Sequence, residues 1–344
     1  SGLFFMINFN GTILDDSTHI SINNRGYAYG DALFETIKVA NGKPLFWEDH
    51  YFRLMASMRI MRMEIPMSFT MEFLEDQIQK TLETNELSNV SARVKLSVFR
   101  NEGGLYTPKD NTVGFVIQVS QLDSDFYLLN TSDYEVDLFK DFYVSPSLLS
   151  TLKTNNKALN VVGSVYAQDN NLNNCLILNT DKQVVEALNG NIFLVKGTVI
   201  KTPPLESGCL KGIMRKQVMQ VIEQSPDYTL EEAAISPFEI QKADELFITN
   251  VIQGVQPVSK YRKKLFENAS YEMHGTLKKA YWMSSKNTIR MFSNNRKKGH
   301  CTRGSWTPRD TSGAVPYGKY FNNFIWPSTV NIHQTVSFEV YHTL

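Results

Sequence analysis

Apolar and polar residues follow short periods along most of the chain, and the period switches repeatedly between two and about 3.6. The segment YGDALFETIKVANGKPLFW reads as two apolar runs joined at Asn41-Gly42, a pair with the composition of a tight hairpin turn. Glu48 to Met63 has helical spacing. Phe69 to Leu87 predicts a second helix with Phe73, Leu74, Ile78 and Leu82 on one face. Two strands follow, RVKLSVF with Val94, Leu96 and Val98 on one side, and the more uniformly apolar TVGFVIQV. Residues 6–121 thus read as a mixed α/β domain, and MINFNG at Met6 makes a natural beginning for it.

A polar, weakly patterned stretch over 122–133 reads as a linker. Beyond it the pattern predicts a helix around Asn160 to Asn170, the strands CLILN and NIFLV, and a turn at Lys196-Gly197. TPPLESGCLKGIMRKQVMQVIEQ runs from a Pro/Gly-rich loop into an amphipathic helix, and ADELFITNVIQGVQPV gives a strand followed by a Gly-containing loop. A helix from Ala269 to Met283 is expected to close a second α/β domain over 134–284.

Composition changes this picture at one end only. The 344 residues carry 35 Lys+Arg against 35 Asp+Glu, a formal net charge of zero that argues against a dedicated nucleic-acid binder. The balance is uneven: residues 285–344 hold eight Lys and Arg against Asp310 and Glu339, leaving the body acidic. That segment lacks periodicity until VSFEV and reads as a basic tail outside the fold. A nucleic-acid-binding arm over Arg290 to Arg309 is the reading from another functional class that it allows. Cys175, Cys209 and Cys301 are too few and too scattered for a disulfide scaffold or a CxxC metal site, so no metal is expected. With no apolar run near the roughly 18 residues of a membrane helix, and Ser1 to Met6 too short for a signal peptide, a soluble cytoplasmic protein is expected.

The chain contains no GxGxxG, Walker loop, HExxH or GxSxG. What stands out is a set of polar residues at the ends of apolar elements: Arg53, Lys153, Glu186, the turn Leu210-Lys211-Gly212-Ile213, and Thr249-Asn250. Singly, each reads as an ordinary surface or strand-end residue. In order, RGYAYGDALFETIK, EDHYFRL, LKTNNKALNVV, VVEALNGNIFLV, LKGIMR and ELFITN with QGVQPV resemble the class IV aminotransferases, the fold-type IV pyridoxal phosphate enzymes. The resemblance covers Met6 to Met283. It implies a smaller N-terminal α/β domain, a larger C-terminal cofactor domain, an active site between them and a homodimer.

The resemblance also implies roles. Lys153 in LKTNN matches the Schiff-base lysine that holds pyridoxal 5'-phosphate and carries the catalytic proton, a task that requires a neutral amine near neutral pH. Glu186 matches the carboxylate facing the pyridine nitrogen, where a negative partner keeps the ring an electron sink. Arg53 matches the arginine that pairs with the cofactor phosphate. Gly212 precedes a helix, so the backbone N–H groups of Ile213 and Met214 can face a dianion. Met214 replaces the family's usual threonine there. Thr249, Asn250 and Val251 are expected to complete the cradle.

Subgroup markers diverge. FETIK and Lys157 depart from the branched-chain enzymes, which read FEGIR and carry a tyrosine after the lysine. At FRNEGGLYTP, Leu105 stands where D-amino acid aminotransferases carry a carboxylate-trapping arginine. Aminodeoxychorismate lyases match in part, through Arg100, Gly103, Gly104 and Tyr106 and through the Lys153 to Lys157 spacing. Phe34, Arg100 and Tyr106 are therefore the expected substrate-binding residues, with Arg100 as a bidentate carboxylate anchor. The expected activity is transamination between a small amino acid and a 2-oxo acid, and the alternative is a lyase releasing pyruvate and 4-aminobenzoate.

Overall fold

The computed structural model describes residues 6–15, 20–125, 127–130, 132–266, 281–283 and 288–293. Its first sheet is antiparallel, in the order β2-β1-β6-β5-β3-β4. The strands are β1 (Met6–Phe9), β2 (Thr12–Asp15), β3 (Ala32–Ala40), β4 (Lys43–Pro44), β5 (Ala92–Arg100) and β6 (Val113–Gln121). Asn41 and Gly42 close the β3–β4 hairpin with φ of 48° and 70°, the left-handed pair such a turn needs. Gly42 is required twice over, because a Cβ there would meet the Ser88 carbonyl at 2.5 Å.

A short helix, α1 (Arg25–Tyr29), leads into β3; α2 (Trp47–Ile60) and α3 (Met71–Thr84) cover one face of the sheet. Thr70 caps α3 by accepting from the Phe73 N–H at 3.1 Å. The expected face of α3 is found: Leu74, Ile78 and Leu82 are fully buried, and Phe73 packs at the edge of the same core. They meet Leu33, Ile37, Val39, Val94, Leu96 and Val98, the apolar alternation of β3 and β5.

The remainder holds two further five-stranded sheets. One runs β10-β9-β8-β16-β17, from β8 (Glu135–Val144), β9 (Asn174–Asn179), β10 (Val184–Ala187), β16 (Lys260–Tyr261) and β17 (Lys264–Leu265). The other runs β13-β12-β11-β14-β15, from β11 (Asn191–Lys196), β12 (Val199–Thr202), β13 (Thr229–Glu232), β14 (Glu245–Asn250) and β15 (Gly254–Pro257). They share one core, in which Val136, Leu138, Leu176 and Leu178 meet Ile192, Leu194, Leu246 and Ile248. On the outer face of the second sheet Phe193 and Phe247 stack with centroids 5.1 Å apart, beneath α5 (Ile213–Glu223). The helices α4 (Ala158–Asp169) and α6 (Pro237–Lys242) complete this half.

The stretch read as a linker is partly built in. Within it, β7 (Tyr127–Leu129) buries Tyr127, whose hydroxyl donates to the Val251 carbonyl at 2.7 Å. Leu45 and Phe46 from the first half join the same core as α5, so the halves share packing. The helix expected over Ala269 to Met283 lies mostly outside the described residues, and its described end, β18 (Tyr281–Met283), is a strand. β18 pairs with β19 (Thr288–Ser293), which pairs with β7; the segment read as lying outside the fold therefore contributes a strand to it. The rest of the basic tail is outside the described residues. Among those described, no helix is long and apolar enough to cross a membrane. Ile78→Ala, which removes a fully buried side chain under the first sheet, is expected to lower unfolding free energy by about 2–5 kcal/mol in urea titrations.

Candidate active site

Strand alternation sends one charged residue of β3 into the helix-covered side. Glu35, between Leu33 and Ile37, is 2 % exposed beneath α2. Arg53 and His50, three residues apart on one face of α2, both turn onto it. Arg53 Nε donates to Glu35 Oε1 at 2.8 Å and Nη2 to Oε2 at 2.5 Å. His50 Nδ1 lies 2.6 Å from Oε2. Burial pushes the Glu35 carboxyl up, but Arg53 and His50 outweigh it and hold the group at about 2. Burial lowers His50, so its neutral ring donates from Nδ1; Nε2 is buried with no hydrogen-bond partner among the described residues.

Lys153 follows a single 3-10 turn (Leu149–Thr151) and is laid against the start of β3 by two backbone bonds. The Phe34 N–H donates to the Lys153 carbonyl at 2.9 Å, and the Asn155 N–H to the Ala32 carbonyl at 3.0 Å. Its ammonium nitrogen stands 4.5 Å from the centroid of the Phe34 ring. Burial and the positive charges of Arg53 and Lys157 bring the amine down to about 7, against the opposing pull of Glu35 and Glu186. A large share of Lys153 is thus neutral at neutral pH.

Glu186 on β10 accepts from the Leu210 N–H at 2.9 Å. Enclosure of its carboxylate raises it to about 6, held back by that bond and by Lys157 and Lys153. The turn Leu210-Lys211-Gly212 is pinned from three sides: Leu210 N–H on Glu186, the Leu210 carbonyl on Asn191 Nδ2 at 2.8 Å, and the Lys211 carbonyl on Arg53 Nη1 at 2.9 Å. Gly212 caps α5, and a Cβ there would lie 2.0 Å from Asn191 Oδ1, so only glycine fits. The first N–H groups of a helix have no intrahelical acceptor. Opposite Asn191 on β14, Thr249 buries a hydroxyl with no partner among the described residues.

The family model described as amino-transferase class IV matches residues 32–261 of this chain. The chain belongs to the class IV aminotransferases. It is similar to the aminodeoxychorismate lyase of Vibrio harveyi, with 27% identity over 245 residues, 70% of this chain and 87% of that protein. It is likewise similar to the D-alanine aminotransferase of Bacillus licheniformis, with 26% identity over 262 residues, 73% of this chain and 86% of that one. Among solved structures, the branched-chain aminotransferase of Thermoproteus uzoniensis superposes with a TM-score of 0.72 at 21% identity, covering 80% of this chain and 93% of its own.

Class IV aminotransferases use pyridoxal 5'-phosphate, and the residues present in this member fit that group. A low-pKa amine, an enclosed carboxylate and an anion-ready helix start meet in one place. Thr249 supplies an unpaired buried hydroxyl, a donor such as the phosphate requires where Met214 has none. The side chains of Ile213 and Met214 turn into the core, so only their backbone faces the turn.

The side chains of Asn250 and Val251 are engaged outside the turn. Asn250 Oδ1 accepts from the N–H groups of Ile252 and Gln253, closing its own turn, and Val251 packs against the α5 core. Arg100 requires correction as a carboxylate anchor. The residue is 6 % exposed, and its guanidinium donates to Asp31, Asn111 and the carbonyls of Met61 and Arg62, so it braces the loop. Tyr106 is 90 % exposed at a loop tip held by Arg25, whose Nη1 donates to the Leu105 carbonyl at 2.6 Å. It shares with Arg100, Arg25, Tyr29 and Asn156 the lining of a cavity of about 270 Å³.

Sequence reading missed Glu35, His50 and Asn191. The signals for the first two were an acid on the apolar side of a strand and an i, i+3 pair on the facing helix; Asn191 left none. Because Glu35 titrates near 2 in the fold against an ordinary 4.5, the unfolded chain binds more protons between these values. Its stabilisation is therefore complete above about pH 4.5 and is lost as pH falls toward 2. Glu35→Gln is expected to lower stability at pH 7 and to flatten the acid limb of the urea midpoint against pH.

Proposed function

We propose that this chain is a pyridoxal phosphate-dependent aminotransferase that moves an amino group between an amino acid and a 2-oxo acid. The observation that carries the reading is Lys153, an enclosed amine held near pKa 7 beside Phe34 and between the charges of Arg53 and Glu186. When bound, the cofactor supplies an aldehyde for this amine and a ring that withdraws electrons from the substrate. Lys153 holds it and, once free, its Nζ takes the proton from the substrate Cα and delivers it again. That return step needs a base that reprotonates near neutral pH, which the balance of neighbouring charges supports. Glu186, as a carboxylate, would accept a hydrogen bond from the ring nitrogen and so keep that nitrogen protonated. Arg53, the backbone N–H groups of Ile213 and Met214, Thr249 and the backbone of Asn250 and Val251 cradle the phosphate, and Phe34 forms the floor beneath the substrate.

The lyase reading has its own support in the aminodeoxychorismate lyases to which the chain is similar. Both activities use the same proton removal at Cα and separate afterwards. Two features outside the site bear on the assembly. Tyr27, Leu105 and Tyr106 are exposed near one loop cluster, and α4 turns Val161, Val162 and Val165 outward, a pattern that fits burial against a second copy in a homodimer. A cytoplasmic setting suits the free, buried Cys175 and Cys209. For nucleic acid, the remaining case is the basic tail alone.

Purified protein given the cofactor is expected to turn yellow, with borohydride fixing the group to Lys153 and Lys153→Ala abolishing both. Capture should accelerate as pH rises through about 7 and then level off, because the neutral amine is the reacting form. On a panel of L-leucine, L-glutamate, L-alanine, D-alanine and aminodeoxychorismate, conversion to the pyridoxamine form by an amino acid supports transamination. Pyruvate release from aminodeoxychorismate alone would replace it with the lyase.

A further inference from the structure

With Arg100 committed to its own loop, the substrate carboxylate needs a different cation. The Phe34 ring points to it. Lys153 stands 4.5 Å from the ring centroid and Lys95 stands 5.4 Å from the same centroid, so the two nitrogens are at most about 10 Å apart. Lys95 is on β5, opposite Thr36 of β3 and Gln118 of β6. Alternation therefore sends its side chain to the face that carries Phe34, away from the helix-covered face of Glu35 and Leu96.

The strand positions of that face carry one sign of charge, with Asp125 acting on Lys38 from the segment after β6. β3 and β5 present Lys38, Arg93 and Lys95 on it, and no position of β3, β5 or β6 on this side is a carboxylate. Among the described residues Lys95 enters no ion pair, and it is only partly exposed, so it faces the site without being sealed from it. An ammonium over that ring, with a reactive amine on the other edge of β3 and within about 10 Å, attracts an anion on a molecule long enough to reach across the ring.

We propose that Lys95 is the residue that binds the carboxylate of the substrate, an amino acid or 2-oxo acid laid across Phe34 with its reacting carbon toward Lys153. The assignment rests on the reading of Lys153 given above. Phe34 then sets the separation of the two ends, and Lys95 selects for an acid over a neutral amine. A lysine gives a single point charge where an arginine gives a fork, so the carboxylate is held by charge with looser orientation.

The test uses the cofactor-loaded protein titrated with succinate and with acetate, following the cofactor's absorption band, for the wild type, Lys95→Gln and Lys95→Arg. A hydrogen bond to a charged partner is worth about 1.5–3 kcal/mol, so Lys95→Gln should raise the half-saturating concentration about tenfold or more. Lys95→Arg should recover most of the binding, and wild-type binding should weaken with added salt. In turnover, Lys95→Gln should raise KM more than it lowers kcat. Equal succinate titrations for the wild type and Lys95→Gln, with cofactor still fixed at Lys153, would overturn the role of Lys95 alone. Lys95→Arg binding no better than Lys95→Gln would do the same. A wild-type chain that takes up no cofactor overturns the reading of Lys153, and this assignment with it.

Discussion

Glu35 is a carboxylate placed among Leu33, Ile37 and Val39 on the apolar side of a central strand, and the site is organised around neutralising it. A lone charge in that position would cost several kcal/mol. Arg53 and His50 offset this by donating three hydrogen bonds to its two oxygens. In doing so they lock α2 onto the sheet and aim what remains of the Arg53 guanidinium at a turn 158 residues further along the chain, through the Lys211 carbonyl. Removing one partner of such a buried pair typically costs about 3–5 kcal/mol, because the other charge stays behind. Glu35 thus positions Arg53 and, through it, the Leu210-Lys211-Gly212 turn.

From Arg53 the constraint passes through Leu210-Lys211-Gly212 to the opposite end. Leu210 binds Glu186 with its N–H and Asn191 with its carbonyl, while Lys211 binds Arg53. Three residues of backbone therefore fix the distance between the start of α5 and the Glu186 carboxylate. Glycine at 212 follows from this, since Asn191 occupies the space a side chain would need. The geometry of the turn is set by partners from α2, β10 and β11, none of them next to the turn in sequence.

Lys153 is tuned by the same set. Its amine is lowered first by enclosure and then by Arg53 and Lys157, and it is kept from falling further by Glu35 and Glu186. Two carboxylates and two cations around one lysine bring its amine near neutrality, and Glu35, Arg53 and Glu186 each also hold a hydrogen bond of their own in the fold. Arg100 illustrates the opposite case: equally basic and at a strand end, it is consumed by Asp31, Asn111 and two carbonyls, and so offers the substrate little.

The alternation of β3 and β5, the apolar face of α3, the Asn41-Gly42 turn and the glycine before α5 were legible in the sequence, because each depends on residues within one turn or one strand. The ordered blocks also made Lys153, Glu186 and Arg53 legible as a set, through resemblance to a family. Tertiary structure alone decided which polar residues were free and which were spent. Arg100 and Lys95 lie five residues apart on one strand, so alternation places them on opposite faces, but nothing near either in sequence names the partners it meets there. One meets Asp31 and three other acceptors and becomes a brace; the other meets an aromatic ring and, among the described residues, no ion-pair partner. Hydrogen-bond partners and local charge come from segments far apart in sequence, and only the packed sheet brings them together.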